Sequence, residues 1–402
     1  MQEIIPIVVA FDNNYCIPAG VSLFSMLTHA KRERERERVK LFYQIHCLVE
    51  SLSAENIAKL EETIAPFSTF SSIEFLDISN NNAPKENQEI KKNQAVKSDH
   101  YQNIDPIIAN KIEGLFTKLS DFSQKRFSKM IMCRFFFASL FPQYDKMIMF
   151  DVDTLFVNDM SESFFIPLES HYFGAVREKD LIAMDRNSAK DLYELRQMHA
   201  KSIGVADAFP NLEEVQILFD NYFNAGFLAL NLKLWREENL ENQLIGFFLL
   251  KNEKLLFSDQ DALCFVCRGR ILELPYSYNA HPSFLDTPSF PSIKEACMLH
   301  FWGDKPWKLL SVIGAKKWHE ALIQTPFKDA YFNAPFLDHL FESLQNRDKE
   351  TQEIHALNKI LSFSDKRHSF EFLLPRLSSK LLIEFLLFKI KQKVKRLIKR
   401  VF

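Results

Sequence analysis

Several features that define special classes of protein are absent from this sequence. Its six cysteines are scattered through apolar surroundings, unlike the dense spacing of a disulfide framework. Its 50 lysines and arginines nearly balance 52 aspartates and glutamates, so no overall positive field would attract nucleic acid. We therefore expect a protein of a reducing compartment that does not bind nucleic acid. A hydrophobic fraction of 47% over 402 residues is sufficient for a large core.

Targeting and membrane-spanning segments are also missing. No uninterrupted apolar run reaches the ~18 to 20 residues that a transmembrane helix needs. The first residues, MQEIIPIVVAFD, lack the basic segment and the cleavage site of a signal peptide, and they predict a first strand. We expect a cytoplasmic protein that rests peripherally on the inner face of the cytoplasmic membrane.

Strands and helices alternate along most of the chain. Apolar runs rich in β-branched residues predict strands, and stretches with helical spacing between them predict helices. The predicted strands are 4–10, 42–49, 73–78, 146–150, 172–176, 226–231 and 271–274. The predicted helices are 18–27, 52–64, 125–140, 232–250 and 260–268. Repeated β-then-α units predict an α/β fold with a mainly parallel sheet and helices on both faces.

Two polar stretches interrupt this alternation, and a helical region follows it. Residues 80–102 are rich in Asn and Lys, and we interpret about 80–125 as an inserted surface region. Residues 178–221 carry many charges and few strand signals, which predicts a helical insertion on the acceptor side. We predict a catalytic domain at 1–337 and a helical extension at 338–402.

The end of this helical extension has an unusual charge pattern. After Glu384 every charged side chain is basic, and Leu, Ile, Val and Phe alternate with these cations. On a helical period Val394, Ile398 and Val401 share one face, while most cations lie elsewhere. A basic amphipathic tail of this kind is typical of binding to an anionic membrane surface. A terminal helix that packs on the core or dimerises is the alternative.

Two aspartates separated by one residue stand where a predicted buried strand ends. In KMIMFDVDTL, the side chains of Asp151 and Asp153 point the same way from an extended backbone. Open α/β sheets bind ligands at the carboxyl ends of their strands, where a divalent ion can bridge diphosphate oxygens. The DxD motif therefore predicts a metal site. Aspartate pairs also cap turns, so the motif taken alone leaves that alternative open.

A second motif, MLHFWGDKPWK, carries groups that suit the same site. His300 follows a short apolar strand and offers a nitrogen ligand, while Lys305 offers a cation to phosphate. Taken alone, His300 would more often be a hydrogen-bonded structural histidine. Together with the DxD motif it becomes a plausible third metal ligand.

Two further motifs carry small or polar residues at strand and helix ends. YFNAGFLALNL has Asn224, Ala225 and Gly226 before a predicted strand, where small residues would let a sugar approach the backbone. FSDQDAL opens a helix with acidic residues on both sides of Gln260. In one interpretation Asp259 and Asp261 only cap this helix. In the other, Asp259 or Asp261 caps the helix and also faces a substrate.

Five motifs in this order resemble glycosyltransferase family 8, which comprises retaining nucleotide-sugar transferases and includes bacterial enzymes that extend lipopolysaccharide or lipooligosaccharide. They are VVAFDNNY, the Arg134 helix before FDVDTL, YFNAGFLALNLKLW, SDQDAL and LHFWGDKPW. The likeness runs from Ile4 to about Lys317. It implies a GT-A fold, a single Rossmann-like domain that binds a UDP-sugar with Mn²⁺ or Mg²⁺.

The resemblance also implies a role for each motif residue. The metal ligands would be Asp151, Asp153 and His300, with Val152 also in the donor site. Uracil and ribose would lie against Ala10, Asp12, Asn14 and Tyr15. The donor sugar would contact Arg134, Asn224, Ala225, Asp259 and Gln260, of which Arg134, Asp259 and Gln260 are the predicted catalytic residues. The diphosphate would contact Gly303 and Lys305.

These roles describe a retaining hexosyltransferase. We predict transfer of glucose or galactose from UDP-glucose or UDP-galactose to a lipopolysaccharide core or O-chain acceptor. Two alternatives stay open, a catalytically weak UDP-sugar-binding assembly protein and a metal-dependent phosphohydrolase. The residues also do not decide between same-face attack and two displacements through a covalent intermediate.

Overall fold

A mainly parallel sheet organises the N-terminal part of the chain. The computed structural model describes residues 2–35, 37–79, 99–178, 188–204, 206–251, 254–285, 292–309 and 311–331. The strands are β1 (Gln2–Asp12), β2 (Glu33–Arg34), β3 (Val39–Glu50), β4 (Ser71–Asp77), β5 (Tyr101–Asn103), β6 (Lys146–Phe150), β7 (Thr154–Phe156), β8 (Phe173–Arg177), β9 (Phe223–Asn231), β10 (Ile271–Glu273) and β11 (Met298–His300).

The connections between these strands are mostly helical. The helices are α1 (Cys16–His29), α2 (Ala54–Ile64), α3 (Pro106–Phe116), α4 (Asp121–Arg126), α5 (Phe137–Leu140), α6 (Glu162–Phe165), α7 (Ala189–Ile203), α8 (Leu212–Asp220), α9 (Leu232–Glu237), α10 (Leu240–Lys251), α11 (Ser258–Val266), α12 (Ala315–Leu322) and α13 (Lys328–Tyr331). Short 3-10 turns cover Asn13–Tyr15, Ala65–Phe67, Lys129–Phe136, Tyr276–Asn279 and Pro282–Phe284. No helix among the described residues is both long and apolar enough to cross a bilayer.

The strand order changes direction between β1 and β6. The nine-stranded sheet has the order β10-β8-β9-β6-β1-β3-β4-β5, with β2 paired to β3. From β1 the chain moves outward through β3, β4 and β5, and then returns to β6 on the other side of β1. β1 pairs in parallel with both β3 and β6, whereas β9 is antiparallel to β6 and β8. The carboxyl ends of β1 and β6 therefore form the crevice at which open α/β sheets bind ligands.

The central strands are buried on both faces, as the continuous apolar runs predict. Successive side chains of a strand point to opposite faces, yet Ile7, Val8 and Val9 are all fully buried. Helices must therefore cover both sides, which confirms the predicted α/β class. The CxxC cysteines also lie in the core, because Cys264 and Cys267 are both buried at the end of α11.

The chain divides into two compact units. The first comprises Met1–His300 with Glu320–Lys328, and the second comprises Phe301–His319 and the described residues from Asp329. The predicted helical extension at 338–402, with its basic tail, lies outside the described residues. The proposed domain limits at 337 and 338 stay a prediction.

Two predicted elements were wrong in detail. The helix predicted at 125–140 is α4, a 3-10 segment and α5. The chain leaves the helical conformation at Phe127 and Ser128, whose backbones are extended with ψ 146° and 153°, and the Ser128 side chain caps the 3-10 segment that follows. The helix predicted at 232–250 breaks at Asn239, which has φ 53° between α9 and α10.

The two predicted insertions have different outcomes. The polar loop predicted at 80–102 ends in the edge strand β5, which pairs in parallel with β4, while 80–98 lies outside the described residues. Helices α3 and α4 occupy much of the part up to residue 125. In the region 178–221, helices α7 and α8 confirm the predicted helical character.

Candidate active site

Two aspartates and a distant histidine meet beside the crevice between β1 and β6. Asp151 directly follows β6, and Asp153 directly precedes β7. β7 pairs in antiparallel fashion with β11, which places His300 opposite Thr154. His300 Nε2 lies 3.2 Å from Asp153 Oδ1 and 3.8 Å from Asp151 Oδ2. One potential ligand atom from each of the three residues lies within 4.8 Å of the other two.

This cluster has the donor chemistry of a site for a hard divalent cation. Two carboxylates and one imidazole nitrogen are ligands that suit Mn²⁺, and carboxylates suit Mg²⁺. His300 is 2% exposed, so its position is fixed by packing. The like charges of Asp151 and Asp153 repel each other, and a divalent cation bound by both would offset that repulsion. The residues present therefore fit the metal that the DxD motif predicts.

Arg134 connects the metal cluster to helix α11. Its guanidinium donates to Asp151 Oδ1 through Nη2 and to Asp259 Oδ2 through Nη1. Burial acts against the charged form, yet the two carboxylates raise the pKa of Arg134 above its ordinary value. Burial raises the pKa of Asp259, whereas Arg134 acts in the opposite direction. The arginine thus stays charged at the entrance of helix α11.

The acidic residues that open helix α11 have different surroundings. Asp259 faces Arg134, and the adjacent Gln260 accepts a hydrogen bond from the Ala225 amide of β9 at 3.0 Å. Asp261 is fully buried and pairs with Arg196 of α7. The structure therefore brings Asp259 and Gln260 to the candidate site and rules out the substrate-facing option for Asp261.

The residues after β1 line the opposite side of the crevice. Asp12 Oδ1 accepts from the Asn14 amide at 2.9 Å and so caps the 3-10 turn Asn13–Tyr15. Burial raises the pKa of Tyr15 to about 12, and the carboxylates of Asp153 and Asp12 act in the same direction. Tyr15 therefore lies within the electrostatic field of the metal cluster, while Ala10 and Asp12 are half-buried and Asn14 is exposed.

The predicted sugar-facing residues of β9 lie inside the strand, not before it. Asn224 and Ala225 are buried there, and a Cβ at Gly226 would overlap Cε1 and Nδ1 of His300. The space that Gly226 provides is therefore filled by the imidazole. The interpretation that this glycine admits a sugar was wrong, because β11 brings a side chain from a distant part of the sequence into that space.

The model of the family described as "Glycosyl transferase family 8" matches residues 6–310. This chain belongs to glycosyl transferase family 8. Among the solved structures, galactosyltransferase LgtC in complex with donor and acceptor sugar analogs superposes with a TM-score of 0.54 at 17% identity, covering 80% of this chain and 96% of that chain. The WbbM bifunctional glycosyltransferase superposes with a TM-score of 0.55 at 22% identity, covering 82% of this chain and 51% of that chain. These likenesses confirm the GT-A fold.

Two sequence relatives of this chain differ in coverage. General stress protein A of Bacillus subtilis (strain 168) is 24% identical over 346 residues, which cover 83% of this chain and 93% of that protein. Lipopolysaccharide 1,2-glucosyltransferase of Escherichia coli (strain K12) is 28% identical over 122 residues, covering 28% of this chain. The match spans 36% of that relative and 51% of the WbbM chain.

The predicted diphosphate residues of this family 8 chain belong to the second unit. Gly303 is exposed, and Lys305 is half-buried, with its Nζ donating to the Phe301 carbonyl within the same unit. Their contact with a diphosphate stays a prediction.

Two polar residues beside the site were missed by sequence reasoning. Asn279 is fully buried between His300 and Asn224, and Glu178 accepts from the Asn224 amide group at 2.9 Å. Asn279 lies in the short 3-10 turn Tyr276–Asn279, and Glu178 follows β8. Glu178 stands just after the predicted strand 172–176, a strand-end signal that could have pointed to the site, whereas the sequence around Asn279 carries no such signal.

Proposed function

We propose that this chain is a retaining glycosyltransferase that moves a hexose from UDP-glucose or UDP-galactose with the help of one divalent cation. The observation that carries the proposal is the cluster of Asp151, Asp153 and His300 beside the Arg134–Asp259 pair. The cluster lies where β1 and β6 end, at the crevice in which α/β sheets bind ligands.

The three clustered residues would hold Mn²⁺, or Mg²⁺ in its place. A cation there would supply charge stabilisation for the departing diphosphate. Ala10, Asp12, Asn14 and Tyr15 would surround the uracil and ribose, because they lie at the carboxyl end of β1 and in the turn that follows it. Gly303 and Lys305 would contact the diphosphate, in keeping with the family resemblance.

Arg134, Asp259 and Gln260 are the proposed catalytic residues. A guanidinium has five N–H donors, and the two aspartates receive one short contact each, so Arg134 retains donors for hydroxyls of the donor sugar. Asp259 and Gln260 would flank the anomeric carbon and stabilise the positive charge that develops there. The bond from the Ala225 amide to Gln260 Oε1 holds this side chain in one orientation.

The acceptor and the membrane contact are the finer parts of the proposal. The name of the Escherichia coli relative supports a lipopolysaccharide glycan as acceptor. The basic tail after Glu384 would then hold the protein at the inner membrane surface, where such glycans are built. Removal of this tail should abolish sedimentation with liposomes that contain anionic lipid. Unchanged sedimentation would exclude a membrane role for the tail.

The test is a thermal-shift screen of nucleotide sugars with and without Mn²⁺, followed by an assay of UDP release and sugar transfer. A ligand that binds only the native state raises the melting temperature. We expect UDP-glucose or UDP-galactose to do so in the presence of Mn²⁺, and Asp153→Asn to lose both the shift and the turnover. Asp145→Asn is the matched control, because that carboxylate is 71% exposed on a surface ion pair. Normal Mn²⁺-dependent turnover by Asp153→Asn would contradict the proposal.

The same assay separates the two alternatives. A phosphohydrolase with a two-metal site needs further convergent ligands, and in the described part of the chain Asp151, Asp153 and His300 are the one such group. Release of phosphate instead of UDP would support hydrolysis of phosphate bonds. An assembly protein would bind UDP and Mn²⁺ without turnover.

A further inference from the structure

We propose that Asn279 is a positioning residue that keeps the proton of His300 on Nδ1, so that Nε2 presents a lone pair to the cation. This inference rests on the metal site of the proposed function. A metal binds the unprotonated nitrogen of a neutral imidazole, and the hydrogen bond made by the other nitrogen selects that tautomer. The partner of Nδ1 therefore decides whether His300 can be a ligand.

The hydrogen-bond directions can be assigned from a backbone amide that can only donate. The Gly226 amide donates to Asn224 Oδ1 at 2.9 Å, which identifies that atom as the carbonyl oxygen. The other end of Asn224 is then its NH₂ group, which donates to Glu178 Oε2 at 2.9 Å. A carboxylate can only accept when ionised, so both ends of Asn224 agree with one orientation.

The same logic passes from Asn224 to His300 through Asn279. Asn224 Oδ1 also lies 2.7 Å from a terminal atom of Asn279, and only the NH₂ group of Asn279 can donate to it. Asn279 Oδ1 therefore faces His300 Nδ1, at 2.8 Å, and requires a donor there. The proton of a neutral His300 is thus on Nδ1, and Nε2 faces Asp151 and Asp153 with its lone pair.

Burial and backbone pairing prevent other arrangements of this relay. Asn279 is fully buried, and buried polar groups rarely go without partners. The chain after Asn279 is pinned to β11, because the Ala280 amide donates to the Met298 carbonyl and the His300 amide donates to the Ala280 carbonyl. A flip of the Asn279 amide would set its carbonyl oxygen against Asn224 Oδ1, acceptor against acceptor.

Two readouts test the assignment, and the first needs neither metal nor turnover. In metal-free protein labelled with ¹⁵N-histidine, long-range ¹H–¹⁵N correlations distinguish the two tautomers, and His300→Gln identifies the signals of His300. We expect the Nδ1–H tautomer in the unsubstituted protein and a mixture in Asn279→Ala. A proton on Nε2 with none on Nδ1 in the unsubstituted protein would overturn the proposal.

The second readout is Mn²⁺ affinity, measured from the electron paramagnetic resonance signal of free Mn²⁺. We expect Asn279→Ala to bind Mn²⁺ ~10- to 100-fold more weakly, as for other partners of metal-bound histidines. Asn279→Asp retains an acceptor for Nδ1, so it should keep that tautomer and bind more tightly than the alanine variant. Equal affinity of Asn279→Ala and the unsubstituted protein would overturn the proposal.

Asn231→Ala is the control for general loss of stability. Asn231 also makes several hydrogen bonds, because it caps α9 and donates to the carbonyls of Glu169 and His171, but it lies at the other end of β9. We expect its Mn²⁺ affinity and His300 tautomer to be unchanged. A weakening equal to that of Asn279→Ala would assign the effect to stability. Should the chain transfer no sugar, the NMR result would still decide the role of Asn279.

Discussion

Two arginines of this protein each bridge two aspartates, and one helix supplies an aspartate to both. Arg134 joins Asp151 to Asp259, whereas Arg196 joins Asp207 to Asp261. Asp259 and Asp261 are two residues apart in the first turn of α11. The side chains of the Arg196 group are 2%, 0% and 0% exposed, but Asp151 in the Arg134 group is 29% exposed. Chemically similar groups thus occupy a closed and an open environment.

The closed group uses its hydrogen-bonding capacity internally. Arg196 makes two contacts of 2.8 to 2.9 Å to each carboxylate, and backbone amides of Phe209 and Phe257 donate to the same aspartates. Burial acts against the charge of Arg196, yet the carboxylates of Asp261 and Asp207 raise its pKa above the ordinary value. We infer that this group is structural and fixes α7 of the helical insertion to α11.

The open group keeps acceptors directed towards a ligand. Arg134 makes one contact to each carboxylate, and the second oxygen of Asp151 faces His300 Nε2. The presence of an arginine between two aspartates therefore does not by itself distinguish a structural group from a ligand-binding group. Accessibility and the remaining acceptor atoms distinguish the two groups.

The largest expected effect is on stability, when the closed group is broken. Arg196→Met leaves two buried carboxylates without their cation, which typically costs ~3–5 kcal/mol of the free energy of unfolding. Arg134→Met should cost clearly less, since Asp151 is partly exposed to water. Urea denaturation of both variants measures the difference. Equal losses would break the distinction between a closed and an open group.

Next in size is the effect of the open group on turnover. Arg134→Met should lower the rate of sugar transfer or UDP release by about 10²-fold, because one preorganised charge is removed from the reacting centre. The measurement is kcat at saturating UDP-sugar and Mn²⁺, with circular dichroism as a check on folding. An unchanged kcat would assign Arg134 a structural role like that of Arg196.

A substitution that fills the space beside His300 and Asn224 Oδ1 should have a smaller effect. In Gly226→Ala the added methyl group overlaps the imidazole, so His300 must move and Mn²⁺ affinity should fall ~10-fold or more. Gly246→Ala in α10 is the matched control, because a Cβ there meets nothing within 4 Å. Calorimetric titration with Mn²⁺ compares the two. If both variants bound Mn²⁺ equally well, the account of Gly226 would be wrong.

The smallest effect is expected at an exposed ion pair. The side chains of Lys233 and Glu237 on α9 are 60% and 56% exposed, and Lys233 Nζ lies 3.9 Å from Glu237 Oε1. Water and salt screen such a pair, so Lys233→Gln should leave the melting temperature and kcat unchanged within error. A loss comparable to that of Arg196→Met would show that burial is not what separates the closed group from other ion pairs.

The sequence permitted prediction of those parts of the site that depend on local pattern. KMIMF is a short apolar run, so the position of Asp151 at a strand end followed from the residues beside it. The alternation of strands and helices likewise predicted the fold class. The prediction for 125–140 was wrong because Phe127 and Ser128 have extended backbones and Ser128 caps a new 3-10 segment, which the helical spacing of the apolar residues does not indicate.

The rest of the site depends on contacts between distant residues. Asn279 reaches His300 because of the pairing around β11, and Arg196 reaches Asp261 across 65 residues of chain. No spacing of residues in the sequence predicts either contact. The role of Gly226 was misread for the same reason, since its neighbour is 74 positions away, from 226 to 300.

The central claim is that Asp151, Asp153 and His300 bind one divalent cation. The most direct test is a crystal of the protein grown with UDP and Mn²⁺ and measured near the manganese absorption edge. The account predicts one strong anomalous peak with oxygen atoms of both aspartates and Nε2 of His300 as ligands. A peak elsewhere, or His300 turned away from the two carboxylates, would contradict it.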